Sequence, residues 1–185
     1  MMDLINIILH LDKYIGVVLT NYHEYFYILF FLVIFCETGL VITPFLPGDS
    51  LLFVAGAFAG TGQLDIGVLA VILVVAAFMG DNANFFLGKF IGQKLFSNPK
   101  SKIFRKDILD KTHEFYERHG SKAIIIARFI PLVRTFAPFV AGVGQMTYRK
   151  FVSYSLVASF LWVVIFLVGG YLFGNIPVIK EHMSL

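Results

Sequence analysis

The sequence predicts an all-α membrane protein built from two inverted repeats, each a re-entrant helical hairpin plus a transmembrane helix, with amphipathic helices at the surface. Of its 185 residues, 58% are hydrophobic and 15% are charged, whereas a soluble domain carries about 25% charged residues. Such a chain lacks the polar surface that a water-facing globule needs. Composition therefore argues against a soluble enzyme and against a disordered chain.

Two transmembrane helices follow from apolar length. A spanning helix needs about 20 apolar residues, and residues 151–179 form a charge-free run that predicts a transmembrane helix over 147–175. Residues 66–80 form a second apolar run, which extends through Asp81 and Asn82 to a further, mostly apolar run ending at residue 96. We interpret it as one long helix that is interrupted by a short polar segment.

Two other apolar segments, 38–60 and 121–145, contain four of the six prolines together with charged residues. Proline removes a backbone donor and breaks or kinks a helix. Non-helical backbone at membrane depth is tolerated only where protein or a wet cavity surrounds it. Each segment is therefore interpreted as a re-entrant hairpin, and a kinked single span is the alternative that the sequence leaves open.

Charge distribution predicts the orientation. Eight basic residues against four acidic ones lie between positions 94 and 122, which places the central segment 97–120 in the cytoplasm by the positive-inside rule. The two transmembrane helices then run in opposite directions, which makes the repeats inverted. The run Phe53-Val54-Ala55-Gly56 recurs as Phe139-Val140-Ala141-Gly142, each time in the second limb of a predicted hairpin. Inverted repeats with broken helices are common in secondary transporters.

Amphipathic patterns mark two surface segments. Within residues 1–20, apolar residues recur at helical spacing among Asp and Asn residues, which predicts a helix lying on the membrane surface. A similar stripe within 97–120 predicts a cytoplasmic amphipathic helix.

Ionisable side chains within the apolar segments are the candidate functional residues, because each costs at least about 2.5–3.5 kcal/mol to insert. They are Glu37, Asp49, Asp81, Lys89, Arg128 and Arg134. The arginines suit bidentate phosphate binding, while carboxylates partly removed from water could carry a proton or gate the site. A purely structural cluster of buried ion pairs is the competing interpretation. Asp81 and Asn82 either line the same cavity or bind a neighbouring hairpin.

Other kinds of site have little support in the sequence. No nucleophile elbow or phosphate loop occurs, and the five histidines are scattered, so neither a metal nor a cofactor is expected. The single cysteine, Cys36, cannot form an intrachain disulfide, and a net charge of +3 is too small to indicate nucleic acid. Glycine pairs four residues apart predict close helix contacts, within one chain or in a homo-oligomer.

Several motifs resemble one family. The chain is similar over essentially its whole length to the DedA family of bacterial inner-membrane proteins, which share the VTT-type, SNARE-associated domain. The motifs that carry the resemblance are Glu37-Thr38-Gly39, the run Pro44 to Asp49, Gly80-Asp81-Asn82 and the run Ala127 to Arg134. Family members usually continue into a further hydrophobic helix and a basic tail, whereas this sequence ends at Leu185.

The resemblance implies a role in envelope integrity, drug and pH tolerance, and dependence on the proton motive force. Some members are implicated in returning undecaprenyl phosphate across the inner membrane, and eukaryotic relatives scramble phospholipids. It also implies that the acidic pair Glu37 and Asp49 and the arginine pair Arg128 and Arg134 are the functional residues.

The leading hypothesis is a flippase or scramblase for an anionic lipid phosphate such as undecaprenyl phosphate, coupled to protons. In this hypothesis Arg128 and Arg134 bind the phosphate, and Glu37 and Asp49 carry the proton or gate the site. The expected partners are therefore membrane lipids and protons. The alternatives are a proton-coupled antiporter of small cations or drugs, and a scaffold that transports nothing.

Overall fold

The computed structural model describes the backbone of residues 11–40, 48–96 and 122–176. Within these ranges the chain forms helices and no strand, so the all-α class is confirmed for the part described. The helices are α1 (Leu11–Gly39), α2 (Gly48–Gly60), α3 (Ile66–Phe96), α4 (Pro131–Val143) and α5 (Tyr148–Gly174). A short helical segment at 122–127 precedes α4.

Helices α3 and α5 are the two long apolar helices that the sequence predicts. Ile66–Ile91 of α3 and Tyr148–Gly174 of α5 are each long and apolar enough to cross a membrane. Helix α3 continues through Asp81 and Asn82 without a break. Large apolar side chains face outward, such as Val71 at 66% and Phe90 at 71% exposure. Soluble proteins seldom expose extensive apolar surface of this kind, so these faces suit contact with lipid.

The sequence predicts a separate surface helix over residues 1–20, and the structure of this part of the chain differs from that prediction. Residues 11–20 are the first turns of α1, which continues to Gly39, so the helix does not end near residue 20. Residues 1–10 and the predicted cytoplasmic segment 97–120 lie outside the described residues.

Breaks occur within both proline-containing segments. Helix α1 ends at Gly39 and α2 begins at Gly48, with residues 41–47 outside the described ranges. In the second segment the backbone turns at residues 128–130, and Pro131 begins α4, where its missing N–H removes no helical hydrogen bond. Pro138 lies inside α4, which continues to Val143. Whether either segment re-enters from one face stays a prediction.

The chain divides into two compact units. Of the described residues, unit I contains 11–32, 48–73 and 163–176, and unit II contains 33–40, 74–96 and 122–162.

Close backbone contacts at glycine pack the helices within each unit. In unit I, a Cβ at Gly56 would overlap the carbonyl oxygen of Leu167, and one at Gly170 would overlap that of Phe53. Helices α2 and α5 therefore approach closely there. The predicted small-residue contacts at these positions thus form within one chain.

Unit II repeats this contact between α4 and α3. A Cβ at Gly142 would overlap the carbonyl oxygen of Phe85, and one at Gly88 would overlap that of Phe139. The two Phe-Val-Ala-Gly runs therefore make equivalent contacts, each with a different long helix. Unit II is further packed by Phe85 and Phe151, whose rings stack at 4.3 Å.

Candidate functional site

Unit II contains two buried ion pairs. In the first, the Arg134 guanidinium on α4 donates through Nη2 to Oε1 of Glu37, near the end of α1. The two side chains are 7% and 2% exposed. A charge this far from water must be paired to be tolerated, so each residue accounts for the burial of the other.

The second pair joins Arg128 and Asp81. Arg128 lies in the turn before α4, and its Nη1 donates to both carboxylate oxygens of Asp81 on α3, at 2.5 Å each. The side chains are 3% and 2% exposed. The hydroxyl of Ser155 on α5 also donates to Oδ2 of Asp81 at 2.7 Å. Three parts of the chain thus meet at one carboxylate.

A single indole ring connects the two pairs. The guanidinium carbons of Arg128 and Arg134 lie 4.8 and 5.0 Å from the ring centroid of Trp162. Trp162 is fully buried. Cations at this distance from an aromatic ring are attracted to its electron-rich face, so Trp162 helps to hold both arginines in place.

Arg128 also has unused hydrogen-bonding capacity. Its Nε and Nη2 atoms are buried and have no hydrogen-bond acceptor among the described residues. A guanidinium presents its N–H groups as a planar fork that matches two oxygens of a carboxylate or phosphate. Nη1 binds Asp81, so this second edge is the part of Arg128 that has no acceptor among the described residues.

Polar contacts position the helix ends around these pairs. The side-chain amide of Asn84 donates to the carbonyl oxygens of Thr38 and Thr135, at 3.1 and 2.7 Å, and so connects α3 with α1 and α4. A Cβ at Gly80 would overlap the Thr38 hydroxyl and lie 3.0 Å from the Gly39 nitrogen. Glycine at position 80 therefore allows α1 to approach α3 closely enough for the pairs to form.

The structure brings together three of the four residues expected to form the site, namely Glu37, Arg128 and Arg134. The second carboxylate of the cluster is Asp81, one of the two candidate cavity residues, and it pairs with Arg128. Asp49 lies in the first turn of α2 in unit I and is half-buried, so its predicted position opposite the arginines stays a prediction.

Asn82, the other candidate cavity residue, binds elsewhere. Its side-chain oxygen accepts from the Tyr148 hydroxyl at 2.9 Å, and its amide donates to the Phe78 carbonyl at 2.7 Å. Lys89 is exposed. No group of three or more residues suited to holding a metal ion occurs in the described parts of the chain.

Sequence reasoning missed Trp162, Ser155 and Asn84 as site residues. One signal could have identified the first two. Ser155, Ser159 and Trp162 follow the i, i+4, i+7 spacing of one helix face in the mostly apolar α5, and all three are buried. A polar stripe of this kind indicates which face of α5 meets the charged residues.

The cluster is electrically balanced. Two arginines and two carboxylates, all at least nine-tenths buried, give a formal sum of zero. A charge added to such an arrangement would interact strongly with all four groups, because the screening of bulk water is missing.

Comparison with known proteins identifies relatives over most of the chain. The VTT domain matches residues 46–172. Protein DedA of Escherichia coli K12 is 53% identical over 98% of this chain and 84% of its own length. An uncharacterized membrane protein of Mycobacterium leprae is 40% identical over 82% of this chain and 68% of its own length. The inner membrane protein YqjA of Escherichia coli K12 is 30% identical, over 84% and 71% respectively. No solved structure shows significant similarity.

Proposed function

This chain belongs to the DedA family of VTT-domain membrane proteins, and we propose that it moves an anionic lipid phosphate, such as undecaprenyl phosphate, across the bacterial inner membrane as a flippase or scramblase. Arg128 and Arg134 bind the phosphate group. An inner-membrane location is supported by the name of the relative YqjA and by the outward apolar faces of α3 and α5.

The observation that carries this proposal is the open edge of Arg128. Two buried N–H donor atoms without an acceptor are unfavourable to leave unpaired, and a phosphate offers the oxygens that would pair them. Arg134 lies near the same Trp162 ring as Arg128, which supports a role for a second guanidinium in the same site.

Proton coupling is the second part of the proposal, with Glu37 and Asp49 as the groups that carry the proton or gate the site. Support for Glu37 comes from its burial against Arg134, since a proton taken up there would weaken its hold on the guanidinium. That change would free Arg134 for the phosphate.

An inverted-repeat membrane topology is the third part. The equivalent glycine contacts of the two Phe-Val-Ala-Gly runs support an internal repeat, and the basic residues between 94 and 122 support a cytoplasmic central loop. Re-entrant hairpins at 38–60 and 121–145 would bring polar backbone to the bilayer midplane, where transporters of this kind bind substrate.

The alternatives are less well supported. A cation antiporter needs carboxylates that are open to a cation, whereas both oxygens of Asp81 accept hydrogen bonds from Arg128. The scaffold hypothesis accounts for the ion pairs but not for the unused donors of Arg128.

The test is translocation of a labelled polyprenyl phosphate in proteoliposomes, with and without an imposed pH gradient. The key variant is the double substitution Glu37→Gln/Arg134→Gln, which removes both charges together and avoids leaving one of them buried alone. We expect at least about tenfold slower translocation, because the variant loses charge-assisted hydrogen bonds to phosphate worth about 1.5–3 kcal/mol. Arg149→Gln, an exposed arginine at the start of α5, is the matched control and should behave as wild type.

Other outcomes would discriminate among the hypotheses. Folded wild-type protein that moves no lipid above the rate of empty liposomes would overturn the proposal. Cation exchange by the wild-type protein without lipid movement, and its loss in the double variant that lacks Glu37, would favour the antiporter. Loss of folding together with function in the double variant would favour the scaffold.

A further inference from the structure

Asp81 occupies a special place in the charged cluster because it binds the same guanidinium that offers an open edge. Arg128 donates to Asp81 through Nη1, while its Nε and Nη2 have no acceptor among the described residues. A phosphate bound at the open edge would therefore share one positive charge with Asp81.

Binding an anion would disturb the charge balance of the cluster. Glu37 and Asp81 offset Arg128 and Arg134, so a bound phosphate diester anion would leave one net negative charge among buried groups. Uncompensated charge in such surroundings is strongly unfavourable. Uptake of one proton by a carboxylate of the cluster restores neutrality, and it does so with no displacement of either arginine.

The hydrogen bonding around Asp81 suits a change of protonation state. The ionised carboxylate accepts from Ser155 at 2.7 Å. A hydroxyl both donates and accepts, so on protonation Ser155 can rotate and accept the new O–H of Asp81. The added proton therefore gains an acceptor in Ser155, and the Ser155 hydroxyl can then donate to a backbone carbonyl of the preceding turn of α5.

The elements of unit II carry other charged and titratable side chains besides Asp81. Arg128 binds it directly, and the Glu37–Arg134 pair meets the same Trp162 ring. Lys89 lies about 12 Å further along α3 by helix rise and is exposed, as are Tyr148, Arg149 and Lys150 at the start of α5. Asp81 is thus the carboxylate that an anion on Arg128 affects most directly.

We propose that Asp81 takes up one proton when a phosphate-bearing lipid binds at the Nε and Nη2 edge of Arg128. This inference rests on the proposed function, because it assumes that Arg128 binds phosphate. It assigns Asp81, which belongs to neither expected pair of functional residues, as the group that links substrate binding to protons. By reciprocity, a proton on Asp81 strengthens binding of the lipid.

The experiment measures proton uptake during binding to the full chain in nanodiscs. The probe is dihexyl phosphate, a diester that stays singly charged near neutral pH, whereas a phosphate monoester titrates near pH 6 and would add protons of its own. Calorimetry in buffers of different ionisation enthalpy gives the number of protons taken up. For wild type we expect about one proton per anion, with an affinity that falls about tenfold per pH unit where Asp81 is ionised before binding.

Asp81→Asn is the key variant, because it resembles the protonated side chain. It should bind dihexyl phosphate with almost no proton uptake and with an affinity that is nearly independent of pH. Asp65→Asn is the matched control, since Asp65 is exposed in unit I and its amide counterpart can still cap α3. It should behave as wild type.

Ser155→Ala provides a second test if Asp81→Asn does not fold. Loss of the hydroxyl removes a donor to the ionised carboxylate, so Asp81 accepts a proton more readily. The curve of affinity against pH should then shift to higher pH.

The results separate this inference from the proposed function. Wild type that binds the anion without proton uptake, or Asp81→Asn that takes up as many protons as wild type, would overturn the role of Asp81 alone. Wild type that binds no dihexyl phosphate would overturn both. Inorganic phosphate in the same assay identifies the source of the anion, because binding that requires the alkyl chains indicates a lipid headgroup. The number of protons taken up per bound anion decides whether Asp81 has the proposed role.

Discussion

In unit I, Phe53 to Gly56 of α2 packs against Leu167 to Gly170 of α5, and in unit II, Phe139 to Gly142 of α4 packs against Phe85 to Gly88 of α3. The spacing is the same in both contacts, and each glycine meets a backbone carbonyl. The two regions therefore share one way of bringing helices together.

The two regions differ in polarity, as an alignment of α3 with α5 on these contacts shows. Asp81 of α3 then corresponds to Val163 of α5, and both side chains are buried. Asn84 corresponds to the half-buried Phe166. On the short helices, Arg134 of α4 corresponds to Gly48 of α2. Because unit I packs without the buried charges of unit II, the helix contact does not itself require them.

Replacing the charged pair of unit II with apolar residues tests this comparison most severely. Asp81→Val, the residue found at the equivalent position of α5, should cost about 3–5 kcal/mol of unfolding free energy, because it leaves Arg128 buried without its counter-ion. The double variant Asp81→Val/Arg128→Leu should recover most of that loss and abolish lipid translocation. Denaturant titration in detergent micelles measures both. A double variant as unstable as the single one would show that the charges are needed for packing.

The glycine contacts give the next largest effect. A Cβ at Gly170 would lie 2.8 Å from the Phe53 carbonyl carbon, and one at Gly88 would lie 2.9 Å from that of Phe139. Since backbone cannot move aside easily, Gly170→Ala and Gly88→Ala should each lower the unfolding free energy by about 3 kcal/mol. Gly169→Ala is the control, because its Cβ would meet only the Phe53 ring at 3.7 Å. Clearly unequal losses of unfolding free energy at positions 88 and 170 would show that the two contacts are not equivalent.

The sequence predicted those parts of the fold that depend on local pattern. Long apolar runs identified α3 and α5, and the backbone break at residues 128–130 falls in a segment that the prolines had marked. The prolines did not show where within the segment the break lies, because tertiary packing can maintain a helix through a proline, as α4 continues through Pro138. The bounds of α1 were also missed, since a polar surface pattern does not show whether a helix continues beyond it.

The site was predictable as a set of residues but not as a set of partners. Insertion cost identified Glu37, Arg128 and Arg134, since hydropathy alone shows which charges lie in apolar surroundings. The link between Arg128 and Asp81 spans 47 positions and depends on how the helices pack, which hydropathy does not encode. Trp162 escaped notice because an aromatic residue in an apolar helix is ordinary until its neighbours are known.

The contribution of the Trp162 ring can be separated from its bulk. Trp162→Phe keeps an aromatic face toward the two arginines, while Trp162→Leu keeps only apolar volume. We expect the leucine variant to be less stable than the phenylalanine variant by about 2 kcal/mol, the scale of a desolvated cation–π contact. Thermal and denaturant unfolding would measure the difference. Equal stability of the two variants would mean that the indole only fills space in unit II.

The starts of helices in the two units differ in a way that predicts the smallest effect. Asp65 accepts a hydrogen bond from the Val68 N–H at 2.8 Å and so caps α3 in unit I, whereas Ile130 before α4 in unit II makes no side-chain cap. Asp65→Ala should therefore cost about 1 kcal/mol and speed amide exchange at Val68. Asp65→Asn should preserve stability, because asparagine caps equally well. If the alanine and asparagine variants at position 65 were equally stable, the start of α3 would depend on packing rather than on its cap. It would then resemble the start of α4, which has no side-chain cap.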